Sequence, residues 1–376
     1  MSEQVFYRKH RPQFFSEIIG QEHVVKTITN AILSDNVSHA YLFCGPRGSG
    51  KTTMARLLAK AVNCEKRNGF EPCNKCSSCR EILRGASMDL IEIDAASHRG
   101  IDEIRDLRDG IKFSPAQFEK KVYIIDESHQ LTKEAANALL KILEEAPEHA
   151  IFVLATTEVH KMIPTIISRC QRFDFRKLTV PEIVKRLEIV SKKEGINFEK
   201  EALELIASNS EGAIRDAEGL LGQAFSFVCG LDNKKEVKAE DIRDLLGLID
   251  VSLASKMVDL LLAKKMGEAL GYLNDLMEKG KDLQEFTKYL AKYLRKALIL
   301  KIAGEADKKS PLIESILIGL TEEDFEKLKK QASSFSEDDL KKALDLLIEA
   351  QNKMKYAPIP QLPLELAIVE IIGINE

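Results

Sequence analysis

The sequence lacks a long apolar run, a strong charge excess and internal repeats. No stretch approaches the roughly 18 uninterrupted apolar residues of a transmembrane helix, so a membrane-spanning protein is not expected. The N-terminus, Met1-Ser2-Glu3-Gln4, contains no apolar signal region, and we therefore expect a cytoplasmic protein. A net charge of −4 gives the chain no general attraction to nucleic acid, so any DNA contact must come from a local basic surface.

The length of 376 residues exceeds what one compact core normally contains and predicts two or three domains. Up to about residue 178, apolar runs alternate with amphipathic helical patterns, which predicts a parallel sheet covered on both faces. The predicted strands are 40–44, 90–94, 122–125 and 151–155. Later residues are almost entirely of helical type. The predicted domains are an α/β domain at 1–178, a small helical domain at 179–242 and a helical domain at 243–376.

A glycine-rich loop at residues 45–52 matches the phosphate-binding pattern G-x-x-x-x-G-K-[ST]. An apolar strand precedes it and a helical pattern follows, so backbone N–H groups and a helix N-terminus would converge on one anion. Lys51 would reach the β- and γ-phosphates of ATP, and the Thr52 hydroxyl would bind magnesium. The predicted nucleotide-binding residues of this stretch are Gly45, Pro46, Arg47, Gly48, Ser49, Gly50, Lys51, Thr52 and Thr53.

Two adjacent carboxylates, Asp126 and Glu127, follow the apolar strand at 122–125. At the end of a buried strand that comes after a phosphate loop, such a pair is typical of an ATPase. Asp126 would hold magnesium, directly or through water, and Glu127 would act as general base on the attacking water. The sequence therefore predicts ATP hydrolysis as well as ATP binding.

Four of the seven cysteines lie close together in the sequence, at Cys64, Cys73, Cys76 and Cys79. An odd total without a secretion signal argues against a disulfide scaffold and favours metal ligation. Four thiolates suit a closed, tetrahedral structural zinc site. A ferredoxin-type iron–sulfur cluster is the alternative, although the C-x₃-C-P continuation is missing and the fourth cysteine lies upstream.

Four further motifs follow one another along the chain: Asp126-Glu127-Ser128-His129, Ala155-Thr156-Thr157, Ser168-Arg169-Cys170 and Gly212-Ala213-Ile214-Arg215-Asp216-Ala217. With them the chain resembles the AAA+ ATPases of the clamp-loader clade. The cysteine insertion narrows the resemblance to the gamma/tau subunits of bacterial DNA polymerase III and also implies zinc. The implied fold is a RecA-like AAA+ domain with a parallel five-stranded sheet and a zinc-binding insertion at 64–79, then an all-α lid and an all-α collar domain.

The resemblance implies roles for single residues. Thr157 would be the sensor-1 hydroxyl that helps to place the attacking water, and Arg215 would be the sensor-2 cation of the lid. Arg169 would be an arginine finger that acts on the ATP of a neighbouring subunit. Glu218 departs from the family pattern, because an apolar residue commonly stands there.

Two other groups of residues take their roles from the same resemblance. The first would pack around the adenine base and consists of Tyr7, Arg11 and Ile19, with Pro12 and Ile18. The second would contact DNA phosphates, which positions DNA without reading its bases, and consists of Arg99, Arg105 and Lys141.

The resemblance implies a motor subunit of a sliding-clamp loader. ATP binding by several copies, with delta and delta-prime partners, would open the ring-shaped clamp, and primer–template DNA would trigger hydrolysis and release. The alternative is a nucleotide-gated scaffold that holds replication partners with little hydrolysis. Intact Glu127 and Arg169 favour the motor, because a scaffold needs neither. A zinc-dependent nucleic-acid-binding module is disfavoured by the acidic net charge.

Overall fold

The computed structural model describes residues 5–85, 87–98, 100–232, 236–247, 250–303 and 322–373. The chain divides into two compact units, which we call unit 1 (Met1–Asn197 with Ile206–Cys229) and unit 2 (Phe198–Leu205 with Gly230–Glu376). Among the described helices, none combines the length and the apolar character that a membrane crossing requires. The domain boundaries after residues 178 and 242 stay predictions.

Unit 1 is built on a sheet of five parallel strands: β1 (Ala40–Cys44), β2 (Leu90–Asp94), β3 (Lys121–Asp126), β4 (Ala150–Thr156) and β5 (Gln171–Asp174). Their order across the sheet is β2-β3-β4-β1-β5. All residues of β1 and β4 are buried, because helices cover both faces of these central strands. The four strands predicted from apolar runs are confirmed. The edge strand β5 buries only Phe173, so it has no apolar run from which it could be predicted.

The helices that begin in the first part of the chain are α1 (Phe6–Lys9), α2 (Glu22–Leu33), α3 (Lys51–Val62), α4 (Ser77–Arg84), α5 (Ile101–Ile111), α6 (Lys133–Glu144), α7 (Pro164–Ile167), α8 (Val180–Glu194), α9 (Lys200–Asn209) and α10 (Ile214–Asp232). One face of the sheet packs on α2 and α3, where Ile28 and Leu57 meet Phe43. The other face packs on α5 and α6, where Leu139 meets Phe152. Alternate residues of one strand therefore serve two separate cores.

Helix α8 shows how local sequence sets a boundary. The side chains of Thr179 and Glu182 form a reciprocal capping box, which satisfies N–H groups that the first helical turn leaves unpaired. Pro181 occupies the first turn, where its missing N–H costs no hydrogen bond. Gly195 ends the helix in a left-handed conformation with φ 71°.

Unit 2 is mainly helical. Its helices are α11 (Ala239–Leu245), α12 (Val251–Leu262), α13 (Met266–Glu278), α14 (Leu283–Ala303), α15 (Glu322–Ser334), α16 (Glu337–Met354) and α17 (Leu362–Gly373). The chain also forms two strands of two residues each, β6 (Asn197–Phe198) and β7 (Glu236–Val237). The core of unit 2 contains the fully buried Phe286, Leu340 and Leu347. The predicted α/β fold followed by helical regions is thus confirmed.

Two buried tyrosines of the sheet yield a stability prediction. Tyr41 accepts a hydrogen bond from the Ser38 N–H at 2.9 Å. The Tyr123 hydroxyl, in contrast, is the one buried side-chain polar atom without a hydrogen-bond partner among the residues described. Burial raises the pKa of Tyr123 to about 12.

We predict that Tyr123→Phe raises the free energy of unfolding by about 1 kcal/mol, because it removes a buried hydroxyl that gains no hydrogen bond in return. The matched variant Tyr41→Phe should lower it by about 1–3 kcal/mol, since it leaves the Ser38 N–H unpaired. Urea denaturation of both variants measures the two changes. Equal loss of stability in both would contradict the assignment of an unpartnered hydroxyl.

Candidate active site

The phosphate loop joins β1 to α3 and depends on glycine at defined positions. A Cβ on Gly45, which has φ 147°, would lie 2.3 Å from the Phe175 carbonyl oxygen. Gly48, with φ 76°, lies against the lid, since its Cβ would be 3.0 Å from the Ala213 Cβ. These backbone conformations and close approaches exclude larger residues, and they curl the loop over the N-terminus of α3.

Lys51 is the first residue of α3, and its side chain is buried beneath the loop. Its ammonium donates to the carbonyl oxygens of Gly45 at 2.7 Å and of Pro46 at 2.9 Å. Burial lowers the pKa of Lys51, and the carboxylates of Glu127 and Asp126 act in the opposite direction. The cation is thus held at the loop, where a phosphate group would be a stronger partner than two carbonyl oxygens.

Both carboxylates and one of the two hydroxyls around the loop come from the ends of the adjacent strands β3 and β4, and the second hydroxyl comes from the first turn of α3. The Thr52 hydroxyl donates to Asp126 Oδ2 at 2.8 Å. Glu127 has φ 48°, an uncommon conformation for a residue with a side chain, and its Oε2 accepts a bond from the Thr157 hydroxyl at 2.9 Å. Thr157 follows the central strand β4 directly. The structure therefore brings together Lys51 and these four predicted residues.

Sequence reasoning assigned no role to His129, whose side chain is only 3% exposed. Its Nδ1 lies 2.9 Å from the Thr156 hydroxyl and 3.5 Å from Glu127 Oε2. The ring therefore contacts the strand end that carries Thr157 and stands beside the Glu127 carboxylate. Its position two residues after Glu127 in the Asp-Glu-Ser-His motif is the sequence signal that could have singled it out.

The loop, residues 7–19 (which we call the N-terminal segment) and the first turn of α10 surround one cavity of about 510 Å³. Arg215 lies at its rim, with its guanidinium carbon 4.7 Å from the centre of the Tyr7 ring. Interaction with Arg215 lowers the pKa of Tyr7. Predicted residues that line the cavity are Tyr7, Arg11, Pro12, Ile18, Ile19, Arg47, Gly48, Ser49, Gly50, Lys51, Thr52, Thr53, Asp126, Glu127 and Arg215. Gly45 and Pro46 contribute through their bonds to Lys51.

A buried ion pair at the same cavity was not predicted. Arg186 Nε donates to Glu218 Oε1 at 2.7 Å, with side chains 4% and 5% exposed. Arg186 also donates to the backbone oxygen of His10, and burial raises the pKa of Glu218. Arg186 shares a helix face with the buried Ile183 and Val190. Two features of the sequence could have indicated this pair: Arg186 lies on an apolar face of α8, and Glu218 stands where an apolar residue is common in the family.

The predicted arginine finger and the described predicted DNA contacts do not line this cavity. Arg169 follows α7, is partly exposed and donates to Glu144 and, at 2.8 Å, to the Thr165 carbonyl oxygen. Arg105 on α5 and Lys141 on α6 are exposed, and Arg105 pairs with Asp102 at 3.1 Å. The third predicted DNA contact, Arg99, lies outside the described residues.

The four clustered cysteines converge at one point, with their sulfur atoms all within 4.8 Å of one another. All four are free thiols. Backbone N–H groups point at the sulfurs, and the bond from the Lys75 N–H is the main cause that lowers the pKa of Cys73 to about 6. Burial raises the pKa of Cys79, so that thiol would lose its proton on metal binding. This donor set fits a tetrahedral metal ion of the zinc type.

Three family models match successive parts of the chain. They are DNA polymerase III, delta subunit, over residues 20–179; DNA polymerase III clamp loader subunit, ATPase lid domain, over 182–230; and DNA polymerase III subunits gamma and tau domain III, over 237–376. Among solved structures, the Thermotoga maritima RuvB Holliday junction branch migration motor covers 85% of this chain and 98% of its own, with 19% identity and a TM-score of 0.49. A similarity that low adds nothing to the assignment.

Similar proteins of known identity agree with one another. DNA polymerase III subunit tau of Bacillus subtilis is 44% identical and is matched over 99% of this chain and 63% of its own length. Subunit tau of Escherichia coli is 35% identical and is matched over 100% of this chain and 56% of its own length. Subunit gamma of Buchnera aphidicola is 35% identical and covered over 99% of both chains. This chain therefore spans about three fifths of the tau relatives and nearly all of the gamma relative. It belongs to the gamma/tau family of DNA polymerase III subunits, which are clamp-loader ATPases of the AAA+ class.

Proposed function

We propose that this chain is an ATP-driven motor subunit of a sliding-clamp loader, acting in the cytoplasm at the replication machinery. The observation that carries the proposal is the convergence of Lys51, Asp126, Glu127, Thr157 and Arg215 on one site beside the phosphate loop. A protein that only binds nucleotide needs the loop and the lysine. It does not need a general base with a hydroxyl bound to it.

Binding begins at the loop. The ammonium of Lys51 leaves the carbonyl oxygens of Gly45 and Pro46 and moves to the β- and γ-phosphates of ATP. Thr52 and Asp126, whose side-chain oxygens are 2.8 Å apart, would hold magnesium, and the ion would neutralise charge on the phosphate oxygens. The N-terminal residues Tyr7 and Arg11, which line the same cavity, then enclose the base.

Hydrolysis uses Glu127. Its carboxylate takes a proton from the attacking water, the water oxygen bonds to the γ-phosphorus, and the bond to the β-phosphate oxygen breaks. The Thr157 hydroxyl, 2.9 Å from Glu127 Oε2, orients that carboxylate, and His129 Nδ1 lies 3.5 Å from the same oxygen and restricts it further. Arg215 leaves the Tyr7 ring for the phosphates, which makes the position of α10 depend on the nucleotide.

Arg169 completes the site of a neighbouring copy. It lies outside the cavity of its own chain, partly exposed, and its ion pair with Glu144 is of the surface type that costs little to break. An arginine finger supplied from the next subunit stabilises the charge of the transition state. Hydrolysis therefore requires assembly.

Unit 2 supplies the assembly surface. Leu362, Leu366 and Val369 occupy one face of α17 and are 42%, 59% and 37% exposed. Large apolar side chains spaced four and three residues apart form a stripe that helix–helix contact would bury. We assign this stripe to contacts with other copies and with delta and delta-prime partners in a collar.

The remaining partners are the sliding clamp and primer–template DNA. Arg105 and Lys141 are exposed on the neighbouring helices α5 and α6 and offer cations to the DNA backbone, as would Arg99. Contacts of this kind position DNA without reading its sequence. ATP binding opens the clamp, and primed DNA triggers hydrolysis, closure and release.

We predict that steady-state ATP hydrolysis by this chain with its delta-type partners rises sharply when clamp and primed DNA are added. Arg169→Ala should lower the stimulated rate by on the order of 10³-fold while ATP binding persists, because the finger acts only on the neighbour's transition state. Arg172→Ala is the matched control, since Arg172 is also exposed and ion-paired on the next strand. A rate indifferent to clamp, DNA and Arg169 would favour the nucleotide-gated scaffold.

For the cysteine cluster we propose structural zinc. Metal analysis of the purified chain should find about one zinc per chain. Cys76→Ser should lose it, whereas Cys170→Ser, which changes a free thiol outside the cluster, should retain it. Iron with visible absorbance in the wild-type chain would instead support the iron–sulfur alternative.

A further inference from the structure

The segment that carries the four cysteines, residues 64–79, is tied to the N-terminal segment by hydrogen bonds. We call it the cysteine module. The carboxylate of Glu71 accepts bonds from the backbone N–H groups of Phe15 at 2.8 Å and Ser16 at 2.9 Å. Each carboxylate oxygen accepts one hydrogen bond, so Glu71 holds two consecutive residues, Phe15 and Ser16, that are far from it in the sequence.

Asn74 makes the second connection. Its Nδ2 donates to the Gln13 carbonyl oxygen at 3.0 Å, and its Oδ1 accepts from Lys60. Lys60 is 3% exposed and also donates to Gln13 Oε1 at 2.8 Å. Because Lys60 belongs to α3, one buried ammonium links the phosphate-loop helix, the cysteine module and the N-terminal segment.

The tied residues lie inside the part of the chain that encloses the base. Residues 13, 15 and 16 fall between Pro12 and Glu17, and both of these line the nucleotide cavity, as do Ile18 and Ile19. A displacement of the short helix Phe15–Glu17 would therefore move the wall of the cavity. The bonds from Glu71 and Asn74 therefore hold the cavity wall in place without lining the cavity themselves.

The position of Asn74 depends in turn on the sulfur cluster. Asn74 stands directly after Cys73 with φ 56°, a left-handed conformation that asparagine tolerates. The N–H groups of Lys75 and Cys76 bond to Cys73 Sγ at 3.4 and 3.3 Å, which folds the turn around that sulfur. A metal ion on the four sulfurs would hold this turn closed.

We propose that the cysteine module positions the base-binding wall of the nucleotide site, with Glu71 and Asn74 as positioning residues, so that nucleotide affinity depends on metal occupancy. The inference rests on the proposed function in two respects: the cavity binds the base of ATP and ADP against the N-terminal segment, and the four cysteines hold zinc. Neither residue touches the nucleotide. Their effect therefore falls on binding and not on the chemical step.

The test uses the full chain and measures ADP binding by calorimetry and KM against kcat for ATP in the assembled loader. Asn74→Gly keeps the backbone conformation and removes both bonds, and Glu71→Ala removes two more. Each should weaken ADP binding about tenfold and raise KM, with kcat unchanged, because the wall is displaced but the catalytic groups are not. Asn74→Asp, which retains an acceptor for Lys60, should restore part of the affinity.

Glu65→Ala is the matched control within the module, since the side chain of Glu65 bonds to Ser77 and Ser78 of the same module and, among the residues described, to none of the N-terminal segment. It should bind ADP as the wild-type chain does. In the wild-type chain, removing zinc with a chelator should weaken ADP binding by about the same factor as the double substitution Asn74→Gly and Glu71→Ala. In the double variant itself, removing zinc should weaken ADP binding little further.

Unchanged ADP affinity in both variants, at wild-type zinc content, would overturn the inference. So would a fall in kcat at constant KM, or equal loss in Glu65→Ala, because either would point to general destabilisation. A wild-type chain that binds zinc but no ADP would instead refute the proposed function, so the two failures are distinguishable.

Discussion

The structure depends on a phosphate loop whose backbone must converge on one anion. Three glycines with positive φ, Gly45, Gly48 and Gly50, permit that curvature, and Lys51 satisfies two carbonyl oxygens from beneath. The arrangement has a cost, since it gathers N–H dipoles and a buried cation at one point. The central strands and α3 hold the loop in place by burial, and the carboxylates at the ends of the strands offset its charge.

Much of this could be predicted because the determinants are local. The phosphate loop is recognised from the apolar run before it and the helical pattern after it. The two acids are recognised from the apolar strand that they follow, so in both cases neighbouring residues are enough to locate the functional groups. The predicted strand 90–94 has the same bounds as β2. The strand β5 was not apparent, because an edge strand with one buried residue has no run of apolar side chains.

What could not be predicted is long-range pairing of polar groups. Arg186 and Glu218 lie 32 residues apart, and Glu71 and Phe15 lie 56 apart. Nothing in either local sequence names the partner, since a single charge on a helix usually faces water. Only packing shows that Arg186 and Glu218 are buried, and their burial makes the pairing obligatory because an unpaired buried charge costs several kcal/mol.

These long-range pairs both involve the N-terminal segment. The N-terminal segment presents Tyr7 to Arg215, the His10 carbonyl oxygen to Arg186 and the Gln13 carbonyl oxygen to Asn74. It thus contacts the lid helices on one side and the cysteine module on the other, while its own residues line the cavity between them. Under the proposed function, in which Arg215 leaves the Tyr7 ring for a phosphate, the segment would lose its contact with Arg215 and keep those with Arg186 and Asn74. The N-terminal segment, anchored at Gln13 by Asn74, would then form a cavity wall that stays in place while α10 moves. Without that anchor, the wall would move together with α10.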